Sequence, residues 1–382
     1  MSNKLKFGNG TFATKKGSTL AYNDENDNYK PLPFTTTRAS GATRVNKEGL
    51  IEVVENDRPR IDYTDSAKGA LLLEPSRTNL NTYSEDFSNA AWTKSAATVV
   101  ITSNVAPDGT TNSVYNLTGT NANLYTGGTT GVEHTISVYA KSNGQGKDSF
   151  KLRLGNSISS SNTVTDEWVR YEFTATPTTS VFGLTVDSSP NNQWDILIWG
   201  AQLEESSYPT SYIPTQGATA TRLADTASGS GNSEVFNDSE GVLMVETKFL
   251  ENGRIGISNS DNSDEISIGL AGSIFYRIRE NNASVITEFT GSSEGENHKF
   301  ALKYNSQQTS IFVDGFELNT NSTSYSLSGL NELSFIAEAS VFYGNTKQIQ
   351  YYNTILTDAE LETLTSYSSL SELVTELNLN TL

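Results

Sequence analysis

The chain has 382 residues, more than one ordinary hydrophobic core accommodates, so two folded domains are expected. Its 44 acidic residues against 26 basic ones give a formal net charge of −18, which repels a phosphate backbone and disfavours nucleic acid as a partner. With no Cys there is no disulfide, thiolate zinc site or Cys nucleophile, and two His leave little for a His-rich metal site or a Ser-His-Asp relay.

Ser, Thr, Asn and Gly alternate with β-branched and aromatic residues along most of the chain, which favours short strands joined by turns and makes helix a minor component. Residues 1–80 are polar with isolated apolar clusters at Leu50–Val54 and Ala70–Leu73. Pro31, Pro33 and Pro59 interrupt any regular ladder. The expectation is an extended N-terminal arm. Met1 to Phe7 contain no signal-type apolar core, and no 18-residue apolar run occurs, so a soluble, unprocessed protein without membrane insertion is expected.

Residues 81–216 read as a first sandwich of jelly-roll type. Ile136, Val138 and Ala140 alternate with polar neighbours, as do Phe150, Leu152 and Leu154, while Ile196–Trp199 is a continuous apolar run suited to a central strand. Asn143-Gly144 and Ser189-Pro190-Asn191 mark turns. Residues 217–233, with Gly-Ala-Thr-Ala-Thr-Arg and Ser-Gly-Ser-Gly, read as a linker.

From 234 to 382 eight strands are expected, at 242–250, 254–257, 265–270, 274–279, 284–289, 299–304, 309–313 and 334–337, forming a second sandwich. Asp314-Gly315 between two apolar runs predicts a tight hairpin, since both residues tolerate positive φ. Thr357 with Glu360 predicts a capping box opening a short C-terminal helix, and Leu370, Leu373, Val374 and Leu377 form a further apolar stripe. The fold class is therefore all-β: two β-sandwich domains in tandem after an extended arm.

Three stretches carry a resemblance: Arg38-Ala39-Ser40-Gly41-Ala42-Thr43-Arg44 with Asn56-Asp57-Arg58-Pro59-Arg60; Leu72-Leu73-Glu74-Pro75-Ser76-Arg77-Thr78-Asn79; and Trp199-Gly200-Ala201-Gln202-Leu203-Glu204 with Tyr208-Pro209-Thr210-Ser211-Tyr212-Ile213-Pro214. They resemble bacteriophage head-fibre or tail-fibre proteins with a carbohydrate-binding-module-like domain. The last domain, through Ser310-Ile311-Phe312-Val313-Asp314-Gly315 and Tyr352-Asn353-Thr354-Ile355-Leu356-Thr357-Asp358, resembles the concanavalin A-like or laminin-G-like sandwich. The resemblance implies a virion location, attachment to other virion proteins through the arm, a host glycan or receptor as ligand, and assembly as a homotrimer.

Chemistry is sparse. A glycosidase on this fold needs two acids on one strand face, and Glu246 shares its face with Met244 and Lys248. A non-enzymatic binding protein is expected; the alternative is a tail-associated glycan depolymerase with acids converging from different strands. Trp92, Trp168 and Trp194 are candidate sugar plates, each equally placed to cap its own core. Asn259-Ser260-Asp261-Asn262-Ser263-Asp264 offers hard oxygen ligands, so Asp261 and Asp264 are weak candidates for Ca²⁺ against a solvated turn. No other cofactor is expected. His298 reads as a solvated loop residue.

Overall fold

The computed structural model describes residues 3–186, 193–289, 291, 295–338 and 340–376. The regular structure of the described residues is almost entirely strand, and the chain forms two compact units. The first comprises Met1–Ser40, Val54–Pro75 and Ala224–Leu382, and the second comprises Gly41–Val53 and Ser76–Leu223. The all-β class and the sandwich architecture hold. The expected boundaries differ from the units, because the second is made of two segments, 41–53 and 76–223, set into the sequence of the first.

The first unit stacks two antiparallel sheets. The larger runs through Phe316–Asn321, Gln308–Val313, Asn297–Asn305, Glu240–Phe249 and Gly344–Tyr352. The smaller runs through Ala283–Phe289, Ile274–Glu280, Glu265–Leu270, Gly253–Ser258 and Glu332–Ser334. Period-two alternation sets the faces. Leu243, Val245, Phe300, Leu302 and Ile311 from one sheet meet Ile255, Ile257, Ile266, Ile268, Tyr276 and Ile278 from the other in one buried core.

Most of the expected arm, residues 1–40 and 54–75, belongs to this unit. The free edge of Gly344–Tyr352 is taken by Leu5–Gly8, with Leu5 opposite Tyr351, and by Ala70–Leu73, with Leu71 opposite Thr346. Leu5 and Phe7 alternate with half-buried neighbours and enter the core beside Phe34 and Phe335. Segments too short to be stable alone are held because they complete a sheet whose edge would otherwise stay unpaired. The expected linker is likewise ordered. Thr226–Ser228 pairs with Phe34–Thr37, Ala227 is fully buried, and Ser230 donates to the Leu32 carbonyl at 2.6 Å.

The Asp314-Gly315 hairpin forms as its residues require, with φ of 51° and 92° between the paired Val313 and Phe316. Helix α1, Asp358–Thr365, opens on the Thr357–Glu360 capping box. Its Leu361, with Leu356, covers Val242, Met244, Ala301 and Phe312 on the outer face of the larger sheet. Helix α2 spans Leu370–Glu376. In the expected stripe, Leu370 is 70% exposed, Leu373 and Val374 are half-buried, and Leu377 lies outside the described residues.

In the second unit the long strands Val114–Thr126, Gln193–Glu204 and His134–Ser142 form the frame. Val114–Thr126 changes partner part-way. Tyr115–Thr120 pair with Gln193–Ile198, whereas Asn123–Thr126 pair with Phe182–Thr185, the chain bending at Asn121 with φ of 52°. The sheet thus folds over Leu117, Leu124, Ile136, Phe150, Leu184, Trp194 and Ile196. The Ile196–Trp199 run is central as expected. The Ser189-Pro190-Asn191 turn lies outside the described residues.

Candidate functional site

The outer face of the smaller sheet of the first unit gathers a dense set of polar side chains. Alternation along Ile274–Glu280 sends Ile274, Tyr276 and Ile278 inward, so Phe275, Arg277 and Arg279 share the outer face. The adjoining strands add Arg254, Glu265 and Ser267. Gly269, opposite Phe275, is required here, because a Cβ would lie 2.4 Å from Arg254 Cγ and 2.8 Å from Phe275 Cζ.

Arg277 Nη2 donates to Glu265 Oε1 at 2.9 Å and to Glu338 Oε2 at 2.9 Å. Arg254 Nη2 donates to the same Glu338 oxygen at 3.2 Å, and Arg279 Nη1 lies 3.0 Å from Glu338 Oε1. Ser267 donates to the fully buried Glu265 at 2.5 Å. Burial alone would raise the Glu338 carboxyl, but hydrogen bonds and charge from Arg277, Arg254 and Arg279 bring it below the usual range. On the same face Phe289 pairs with Phe275, ring centroids 5.9 Å apart, and stays 57% exposed. An exposed ring beside fixed charged donors can hold a sugar, whose ring has an apolar face and a polar rim.

A groove of about 750 Å³ runs across the outer face of the larger sheet of the same unit, beside α1 and α2. It is lined by three acids, Asp65, Glu246 and Glu372, with Lys299, Gln348 and Tyr367. Gln348 donates to Glu246 at 2.5 Å, and Lys299 donates to Glu372 at 3.1 Å while lying 4.7 Å from the Tyr367 ring centroid. Burial opposes ionisation of Glu372, but the hydroxyl and N–H of Ser368 and the Lys299 ammonium outweigh it and hold the carboxyl down at about 2. In the second unit a cavity of about 310 Å³ is lined by Tyr83, Glu85, Asp86 and Tyr115. Both acids are engaged, Glu85 by the Tyr212 hydroxyl at 2.9 Å and Asp86 by the Tyr115 hydroxyl at 3.0 Å.

The residues singled out in the sequence do not converge. Trp92 is buried against Phe87, its Nε1 donating to the Tyr83 carbonyl at 2.8 Å. Trp194 is 1% exposed in the core of the second unit. Neither presents a plate, because each is the largest ring available to fill its core. Trp168 is half-buried, donates to the Val105 carbonyl at 2.9 Å and packs near Trp199 and Tyr212. Asp264 is buried, and its two oxygens accept the N–H groups of Asn281 and Ser328, both at 2.7 Å; it ties loops together. Asp261 accepts the Ser263 N–H at 3.0 Å within its own turn. His298 is not in a loop: it lies in Asn297–Asn305, Nδ1 2.6 Å from Asp314 Oδ2.

No family model and no curated protein matches the chain. Among solved structures it is similar to the CBM40 of a Ruminococcus gnavus IT-sialidase bound to α2,3-sialyllactose. That match has 17% identity and a TM-score of 0.31, and covers 35% of this chain and 86% of that one. Domain 4 of AbnA, a GH43 extracellular arabinanase from Geobacillus stearothermophilus, in complex with arabinotriose, matches at 12% identity and a TM-score of 0.32, covering 42% and 84%. A Bacillus licheniformis β-glucanase matches at 14% identity and a TM-score of 0.27, covering 34% and 72%. Each is a partial match, and the sandwich description rests on the sheets themselves.

The arginine face escaped the sequence reading although a signal was present. Phe275, Arg277 and Arg279 stand two apart in a predicted strand, which puts an aromatic ring and two cations on one surface. Glu338 has no comparable signal, since only the folded chain brings it there.

Proposed function

We propose that the chain is a non-enzymatic saccharide-binding protein of a phage particle, with the outer face of the smaller sheet as its binding surface. The observation that carries the reading is the exposed Phe289 ring, packed on the buried Phe275, on the same face as three arginines and Ser267. The virion location, as a head fibre, decoration protein or tail fibre, is supported by the three sequence stretches that resemble phage fibres. On that basis the chain assembles as a homotrimer, and light scattering at micromolar concentration should give three chain masses; a monomer would sink this part.

The test of the binding surface is Phe289→Ala. The full chain should bind glycans on an array, and the variant should bind its best ligand on the order of tenfold more weakly, equivalent to about 1.4 kcal/mol. Unchanged affinity would remove this face from the account.

The groove with Glu246 and Glu372 is the observation that favours a depolymerase. Against it, a carboxyl held near 2 is a poor proton donor at neutral pH, where a general acid needs a raised value. Release of reducing ends from a host polysaccharide, abolished by Glu246→Gln or Glu372→Gln, would establish the enzyme in place of our reading.

A further inference from the structure

We propose that Arg254, Arg277 and Arg279 form a carboxylate-binding site whose resident occupant is Glu338, and that the ligand exchanging with it is an acidic sugar. The sugar part rests on the proposed function; the carboxylate part follows from the cluster alone. Three guanidinium groups face two carboxylates, Glu265 and Glu338, so the formal local balance is 3 − 2 = +1.

The two acids differ in how they are built in. Glu265 lies inside a strand, fully buried. Glu338 sits in the turn between the two-residue strands Ile336–Ala337 and Ser340–Val341, with its side chain 40% exposed. Its φ is +47°, a left-handed conformation that a residue with a Cβ adopts at a cost. Its carboxylate is therefore held from an exposed, unfavourable backbone by the arginines beneath it. A free carboxylate presents the same two oxygens to the same donors without that backbone cost.

The cluster is also not saturated. Arg277 Nε and Glu265 Oε2 are buried without a hydrogen-bond partner, a donor that an incoming carboxylate can satisfy and an acceptor that a sugar hydroxyl can. The aromatic pair fixes which carboxylate fits. Phe275 is two residues from Arg277 on the same face, so a ring whose carboxylate meets the arginines can rest on Phe289.

The experiment is calorimetric titration of the full chain and of Glu338→Ala with glucuronate, N-acetylneuraminate, glucose and acetate. Removing the occupant should tighten binding of both acidic sugars at least tenfold and leave glucose unchanged. Arg279→Gln should abolish the gain when combined with Glu338→Ala. Unchanged acidic-sugar affinity in Glu338→Ala, with its thermal unfolding intact, overturns the proposal while leaving Phe289-dependent glycan binding untouched. A gain for acetate equal to that for the sugars overturns the assignment to a sugar. If neither protein binds any saccharide, the proposed function fails together with it.

Discussion

Arg60→Ala is expected to lower the stability of the first unit by roughly 3–5 kcal/mol, the usual cost of leaving buried charges without their partner. Arg60 is fully buried between Glu74, at 2.7 Å, and Asp225, which also accepts from Arg38 at 2.9 Å. Asp225 takes the Glu74 N–H at 3.0 Å and returns its own N–H to the Glu74 carbonyl at 2.9 Å. Burial works against the Arg60 charge, yet Asp225 and Glu74 keep it protonated. The four side chains come from all three chain segments of the first unit, so the network closes that unit across a sequence gap of some 150 residues. Urea unfolding of the full chain measures the loss. A change below about 1 kcal/mol, the scale of an exposed pair, would show that the network contributes little.

Phe7→Ala should cost about 3–5 kcal/mol, the range for truncating a buried aromatic core residue. Phe7 is 2% exposed and meets Phe12, Phe34 and Phe335 edge-on, at centroid distances of 5.5, 5.3 and 6.4 Å. Were residues 1–80 an extended arm, the same substitution would leave unfolding unchanged. The midpoint shift in denaturant therefore decides between the two arrangements.

Most strand positions in residues 234–382 were legible because turn chemistry is local: the eight expected strands match observed ones within a few residues, apart from the split at Phe335, but Gly344–Tyr352, whose polar start hides the alternation, was not among them. The arm was misread because its strands are two to four residues long and take their stability from a partner edge more than 200 residues away. No window of sequence contains that partner. Several polar residues of the phage-like motifs are buried. Arg38, Arg60 and Glu74 make the ion network, and Gln202 and Glu204 bind each other at 2.7 Å and hold Ile213 and Thr210. Conspicuous Trp residues drew the site assignment for the same reason they fill cores. The rings that do face solvent include Phe289, on an edge strand.

Hydrogen–deuterium exchange of the full chain, with and without the tightest glycan found on an array, tests the central claim most directly. The account predicts protection over residues 274–289 and 336–341, the strands and turn that carry Phe275, Arg277, Phe289 and Glu338. Protection confined to the groove around Glu246 and Glu372, or none in the first unit, would contradict it.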